Sequence, residues 1–337
     1  MRIGLIGLGR IGAFHADTLA ALPAVEELIV TDVLGIMVNA VTERIPMARA
    51  VASPEELFDA GLDGVVIAAS TTMHAELLLA AVEHGIPVLC EKPIAGTLDE
   101  AVKVRERIGT ARVPIQIGYP RRFDPAFVAA RDAVRSGALG LVHTVRSTTM
   151  DPAPPTAAYL PVSGGIFHDC SVHDFDAVRW VTGREVVEVY AVGAVDPSVP
   201  ADMYLANGDF STVSTLLTMD DGTIGVVSNT RTNARGYDVR LEVHGSDDTV
   251  AAGFDDGLPI RSTQPGITWP AGPPYTFFMD RLAEAFRCEL ATFCEVAAGA
   301  VESPCTVDDA LRTSWVAEAA TLSAKTHRPV RIEEIRR

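Results

Sequence analysis

Short apolar runs and helix-period stretches alternate along the first 120 residues. Runs at 2–7, 27–32, 63–70, 87–91 and 113–119 have mainly apolar interiors, and a weaker one lies at 48–52. Val65-Val66-Ile67-Ala68-Ala69 typifies them. It has no polar face, as expected of a parallel strand covered by helices on both sides. The intervening helices carry their own start and stop signals. Ser53-Pro54-Glu55-Glu56 and Thr97 with Glu100 are capping boxes, and Gly85 and Gly109 fit C-terminal stops. The pattern predicts a doubly wound α/β domain over 1–120.

Asp124-Pro125 starts a further helix that Gly137 ends, and beyond it the period changes from 3.6 to 2. Strands are predicted at 141–149, 186–195, 209–219, 222–230 and 237–244, with Asp221-Gly222 as a hairpin turn. Helices are predicted near 165–182, 276–299 and 307–325. Long alternating strands joined by tight turns predict an antiparallel sheet with one side covered, hence a second, α+β domain over 121–337. The Pro-rich segments 152–161 and 265–274 read as loops, and there is no internal repeat.

Composition narrows the class. A chain of 337 residues, 48% hydrophobic, is long enough for two cores. A net charge of −16 and a pI near 4.9 argue against nucleic acid or anionic membrane as partner. Cys90, Cys170, Cys288, Cys294 and Cys305 form no C-x-x-C pair and read as reduced thiols of a cytoplasmic protein. No apolar stretch approaches the roughly 18 to 20 residues that span a bilayer. The apolar N-terminus is interrupted by glycines and does not read as a signal peptide.

The first strand breaks into Gly7-Leu8-Gly9-Arg10-Ile11-Gly12, a G-x-G-x-x-G between strand and helix. Gly7 permits the tight turn, Gly9 the approach of a pyrophosphate, and Gly12 close packing of helix on strand. The helix N-terminus offers free N–H groups to the phosphates. Asp32 lies 20 residues after Gly12, at the end of the second run, where a carboxylate holds the adenosine ribose hydroxyls. With Val33 next and no basic residue to accept a 2′-phosphate, the expected cofactor is NAD rather than NADP.

Ligands of an open parallel sheet bind beyond its strand ends. Three ends stand out: Ser70-Thr71-Thr72-Met73-His74, Glu91-Lys92-Pro93, and Gly118-Tyr119-Pro120-Arg121-Arg122-Phe123. Lys92 follows Glu91 and, before it, four apolar residues. It either points into a cleft beside a cationic nicotinamide, as a general acid/base, or pairs with Glu91 at the surface. In the second half, Asp169, His173 and Asp176 stand at i, i+4 and i+7 on one helical face, which Trp180 continues. Val172 and Phe175 flank that stripe on one side, and Ala177, Val178 and Val181 on the other, as on a helix lining a cavity. An Asp–His pair one turn apart suits a proton acceptor. His168 and Asp174 fall off the face and read as structural. His143, His244 and His327 are scattered, so no metal site is expected.

On these residues the chain resembles the glucose–fructose oxidoreductase / inositol dehydrogenase (Gfo/Idh/MocA) superfamily over essentially its whole length. The resemblance is carried by the glycine loop, Cys90-Glu91-Lys92-Pro93, Arg121-Arg122-Phe123-Asp124 and Asp169-x-x-x-His173-x-x-Asp176. Asp151-Pro152-Ala153-Pro154-Pro155 and Ser163-Gly164-Gly165-Ile166-Phe167-His168-Asp169 look most like inositol 2-dehydrogenases. It implies a Rossmann dinucleotide-binding domain, an α+β domain with a large open, mainly antiparallel sheet, and a homotetramer assembled through that sheet. It implies NAD contacts at Gly7, Gly9, Arg10, Ile11, Gly12, Asp32, Ser70, Thr71, His74, Glu91, Lys92 and Arg122. Polyol contacts are implied at Lys92, Tyr119, Asp151, Asp169, His173, Asp176 and Tyr237.

The implied catalytic group is Lys92, Asp169 and His173. His173, oriented by Asp169, takes the hydroxyl proton as hydride leaves the carbon, while Lys92 hydrogen-bonds the same oxygen or shares the proton transfer. The resemblance thus implies NAD-dependent oxidation of a cyclitol hydroxyl. An aldose or amino-sugar oxidoreductase and an NAD-retaining glycosidase use the same scaffold, and a non-catalytic NAD sensor is the reading from another class. Two departures stand out. Ala69-Ser70 replaces the family's usual Ser/Thr-Pro before the strand-end histidine, and Met150 replaces the Arg that often precedes Asp-Pro in inositol-like members.

Overall fold

The computed structural model describes residues 1–234, 236–254 and 273–336. Two compact units emerge: Met1–Phe123 with Glu284–Leu311, and Asp124–Ala283 with Arg312–Arg337. Residues 284–311, read from sequence as part of the second domain, therefore pack with the first.

The first unit is built on six strands: β1 (Arg2–Ile6), β2 (Glu27–Thr31), β3 (Ala48–Ala50), β4 (Gly64–Ile67), β5 (Val88–Glu91) and β6 (Ile115–Gly118). They form an all-parallel sheet in the order β3-β2-β1-β4-β5-β6. Helices α1 (Arg10–Ala21), α2 (Gly35–Arg44), α3 (Pro54–Phe58), α4 (Thr71–Glu83) and α5 (Leu98–Ile108) make the crossovers. Both predicted capping boxes form: Ser53 accepts the Glu56 N–H and Thr97 the Glu100 N–H. Ile3, Leu5, Leu28 and Val66 are fully buried, as strands without a polar face require. The order reverses between β1 and β4, which places a ligand crevice at the carboxyl ends of these strands.

The second unit begins with α6 (Pro125–Arg135), whose N-cap Asp124 accepts the Ala126 and Phe127 N–H groups. Its sheet comprises β7 (Val142–Met150), β8 (Val186–Ala194), β9 (Thr212–Met219), β10 (Ile224–Thr230), β11 (Asp238–Gly245), β12 (Thr249–Ala252) and β13 (Val330–Arg331). The order is β12-β11-β7-β10-β9-β8-β13. Every neighbouring pair is antiparallel except β7 and β10. Two successive hairpins, β8-β9 and β9-β10, return the chain beside β7 in the same direction, so the sheet is mixed rather than purely antiparallel. Helix α7 (Val172–Thr182) covers one face, and Val145, Phe175, Val178, Leu217, Val227 and Leu241 form the core beneath it.

Short α8 (Ala201–Leu205) carries no sequence signal that was read. The helix expected at 276–299 is two, α9 (Phe278–Arg281) and α10 (Ala283–Ala297), because buried Leu282 leaves helical geometry between them. On α10, Leu290, Phe293 and Cys294 join the core of the parallel sheet, and the Phe293 ring packs where a Cβ on Gly64 would stand. The last long helix is α11 (Val307–Thr326). The loop read at 265–274 lies, except for its last two residues, outside the described residues.

Candidate active site

The glycine loop has the geometry of a dinucleotide cradle. Gly7 sits at φ +90°, where an added Cβ would strike the Ala68–Ala69 backbone, and a Cβ on Gly12 would collide with the Gly7 carbonyl oxygen. Gly9 differs: a Cβ there would meet nothing within 4 Å, so the approach is open. No side chain caps α1 at Gly9. Free N–H groups, a positive helix end and an open approach fit a pyrophosphate. Arg10 is exposed and Ile11 half-buried at the first turn of α1. Asp32 Oδ2 accepts the Leu8 N–H at 2.6 Å and Oδ1 accepts the Leu34 N–H at 2.8 Å. The adjacent Val33 is 99% exposed and carries no charge.

The other strand ends of this unit divide into open and braced positions. Ser70 and Thr71 start α4, with Ser70 exposed and its hydroxyl 3.1 Å from that of Thr72. His74 is buried, its ring nitrogens 2.6 Å from the Pro93 carbonyl oxygen and 3.0 Å from that of Ala69. It straps the segment after β5 to the end of β4. Lys92 follows β5, half-buried, with a cis peptide bond to Pro93. Glu91 turns inward to His15 on α1, Oε1 to Nε2 at 2.7 Å. Its other oxygen occupies the space beside Gly118, where a Cβ would stand 2.8 Å from it. Tyr119 and Arg122 are buried beyond β6, and Arg122 donates to the Pro304 carbonyl at 2.8 Å.

In the second unit the carboxyl ends of β7 and β10 converge on the polar stripe. The segment before α7 is a π turn, Phe167–Ser171, rather than the start of a regular helix. Ile166 is held at its entrance by a bond from its N–H to Asp209 Oδ1 at 2.9 Å. π turns of this kind recur at functional sites. Asp169 on the turn and His173 on α7 are half-open, whereas Asp176 is only 1% exposed and lies in the core, with the Thr313 hydroxyl 3.4 Å from its Oδ1. Of the expected three-residue stripe, Asp169 and His173 thus line open space and Asp176 does not. Trp180 continues the half-open face, beneath the Arg131 guanidinium.

Asp169 Oδ1 accepts the Tyr159 hydroxyl at 2.9 Å, and Oδ2 lies 3.3 Å from Arg231 Nη2. Asp151 is fixed at the end of β7: its N–H donates to Thr230 and its carbonyl accepts from Asn233. Burial first, then the charges of Asp151, Asp174 and Asp169, push the Cys170 thiol well up, with Arg231 opposing. Cys170 is thus an inert thiol that reports how closely these carboxylates gather. Asp174 is fully buried and accepts from Ser147, Thr149 and Asn229, which ties α7 to the sheet. Tyr237 is buried ahead of β11, its N–H donating to the Tyr275 carbonyl. Among the described residues, no group of three His, Cys, Asp or Glu side chains comes together as a metal site, and no helix is long and apolar enough to cross a membrane.

Residues 1–119 match the oxidoreductase family with an NAD-binding Rossmann fold, and residues 127–251 match the GFO/IDH/MocA C-terminal domain. The chain belongs to the Gfo/Idh/MocA oxidoreductase family. It is 35% identical to the myo-inositol 2-dehydrogenase of Thermotoga maritima, over 99% of each chain. The structure of a myo-inositol dehydrogenase from Corynebacterium glutamicum superposes with a TM-score of 0.89 at 36% identity, covering 98% of each chain. The scyllo-inositol dehydrogenase of Lactobacillus casei, solved with NAD(H) and scyllo-inositol, gives 0.88 at 26% identity over 99% of each. The cradle is therefore that of an NAD-binding oxidoreductase. Within this Gfo/Idh/MocA protein, sequence reasoning overlooked Tyr159, Arg231, His15 and Glu289. Arg231 directly follows β10, and that strand-end position is the signal that points to it.

Proposed function

We propose that this chain is a cytoplasmic, NAD⁺-dependent cyclitol dehydrogenase that oxidises a secondary ring hydroxyl of an inositol to the ketone. The observation that supports it most directly is the half-open Asp169–His173 turn, set among Asp151, Tyr159 and Arg231 at the end of the mixed sheet. A polyol is recognised by many directed donors and acceptors, and a site that leaves one unpaired rejects analogues strongly. The names of the Thermotoga and Corynebacterium relatives point to the same substrate class.

In this reading Lys92, Asp169 and His173 are the catalytic residues. NAD⁺, when bound, accepts the hydride released from the carbinol carbon. His173 accepts the hydroxyl proton, so a C–H and an O–H bond are lost as the C=O forms. Asp169 orients the imidazole and balances the charge it gains. Lys92 donates a hydrogen bond to the reacting oxygen. Asp151 and Tyr237 hold further hydroxyls, with Tyr119 and Asp176 supporting the polyol site. Gly7, Gly9, Arg10, Ile11, Gly12, Asp32, Ser70, Thr71, Glu91 and Arg122 hold or frame the cofactor, with His74 bracing them. The outward sheet face, with exposed Tyr190, Val192, Leu216 and Ile224, supports assembly as a homotetramer.

The test is the NADH absorbance band on mixing the protein and NAD⁺ with myo-, scyllo- and D-chiro-inositol and a set of aldoses. Turnover on an inositol supports the reading. Turnover on aldoses alone moves the substrate class to sugars. NAD bound without turnover on any of them defeats it.

A further inference from the structure

The largest fully buried side chain among the described residues is charged. Arg231, 1% exposed, directly follows β10, and its N–H donates to the Ser211 carbonyl at 2.8 Å. A buried guanidinium is costly unless carboxylates answer it. Here Nη2 lies 3.3 Å from Asp169 Oδ2 and 3.9 Å from Asp209 Oδ2. Asp209 in turn accepts the Ile166 N–H through its other oxygen. Through that one nitrogen Arg231 faces two carboxylates at the π turn, Asp209 at its entrance and Asp169 on it, as ion-pair contacts rather than hydrogen bonds. From the open side Tyr159, 45% exposed, donates its hydroxyl to Asp169 Oδ1. Both oxygens of the acid are thus engaged, one from the core and one from the 152–166 segment.

We propose that Arg231 is a positioning residue for the proton transfer: with Tyr159 it fixes the plane of the Asp169 carboxylate from which that acid serves His173. The inference rests on the reading of Asp169 and His173 as an acid–base pair. Arg231 touches neither substrate nor cofactor in this scheme. An arginine suits the place because its guanidinium stays charged and is more weakly hydrated than an ammonium, so it tolerates burial between two carboxylates better than lysine does.

The test uses the full chain with NAD⁺ and myo-inositol. Arg231→Met is expected to lose roughly 10²-fold in kcat, the scale of a misplacement near 1 Å, with KM for NAD⁺ unchanged. Arg231→Lys recovers part of that loss, and Tyr159→Phe lowers kcat at an unchanged unfolding midpoint. Wild-type kcat in folded Arg231→Met overturns the proposal. Should Arg231→Met fail to fold, Arg231→Lys and Tyr159→Phe decide, and wild-type kcat in both overturns it. A second measurement needs no turnover: the denaturant midpoints of Arg231→Met, Asp169→Asn and the double variant. Non-additive shifts support the coupling, and additive ones overturn it. If the wild type oxidises no polyol, the substrate reading fails while this cycle still decides the role of Arg231.

Discussion

Asp32 holds the Leu8 backbone: its Oδ2 accepts the Leu8 N–H at 2.6 Å, while its Oδ1 accepts the Leu34 N–H at 2.8 Å. One carboxylate therefore sets the glycine loop and the turn after β2 together. In the proposed function the same group chooses between ribose hydroxyls and a ribose phosphate.

Cofactor choice follows from this double duty. Wild-type kcat/KM should be higher with NAD⁺ than with NADP⁺, since Asp32 repels a 2′-phosphate and exposed Val33 offers no cation. Asp32→Ala should lose about 10- to 100-fold with NAD⁺, the range of a lost charged hydrogen bond, and narrow the ratio. Adding Val33→Arg should narrow it further. Equal wild-type efficiency with the two cofactors would contradict the assignment.

Two glycines of one motif should fail in different ways. Gly12→Ala collides with the Gly7 carbonyl oxygen, backbone that cannot swing aside, so the melting temperature should fall. Gly9→Ala meets no protein atom, so the fold should survive while KM for NAD⁺ rises. A Gly9→Ala protein as destabilised as Gly12→Ala would show that the loop does not face open space.

The catalytic assignment is tested by Lys92→Ala and His173→Ala. Each should lower kcat by roughly 10²- to 10⁴-fold, the usual contribution of a positioned acid or base. NADH binding, followed by its fluorescence, should persist in His173→Ala. Near-normal rates in both variants would remove these residues from the reaction.

Much of this was legible in the residues because the relevant patterns are local. The glycine loop, the capping boxes and the unbroken apolar strands each lie within about a dozen positions, where period and spacing act directly. What escaped depends on distant partners. Asp176 shares the helical stripe with His173, yet Thr313, far along the chain, lies against it in the core. The π turn is imposed partly by Asp209 on Ile166, which no helical wheel shows. The parallel β7–β10 pair follows from the count of intervening hairpins rather than from any strand's own residues. Nothing local in residues 284–311 tells which sheet they cover; the packing of Leu290, Phe293 and Cys294 into the parallel sheet's core, with Phe293 against Gly64, does.

A buried acid lies close enough to Glu91 to feel its charge. Glu289 on α10 is fully buried, with the Tyr119 backbone beside its carboxyl group. Burial first, then the negative charge of Glu91, push its carboxyl well above the usual carboxylate range. The same two causes raise the Cys90 thiol. The folded protein therefore keeps a proton on Glu289 that the unfolded chain releases above its ordinary value. Stability from this group is fully present below that ordinary value and is lost as pH rises towards the folded one. The slope is about 1.4 kcal/mol per pH unit while only the folded state holds the proton. Glu289→Gln stays neutral at every pH and so removes that slope. Chemical unfolding of both proteins at pH 5 and pH 8 should show the variant gaining on the wild type at the higher pH. A difference that is constant with pH would mean that Glu289 is ionised in the folded protein, its charge balanced by a group other than the His15–Glu91 pair.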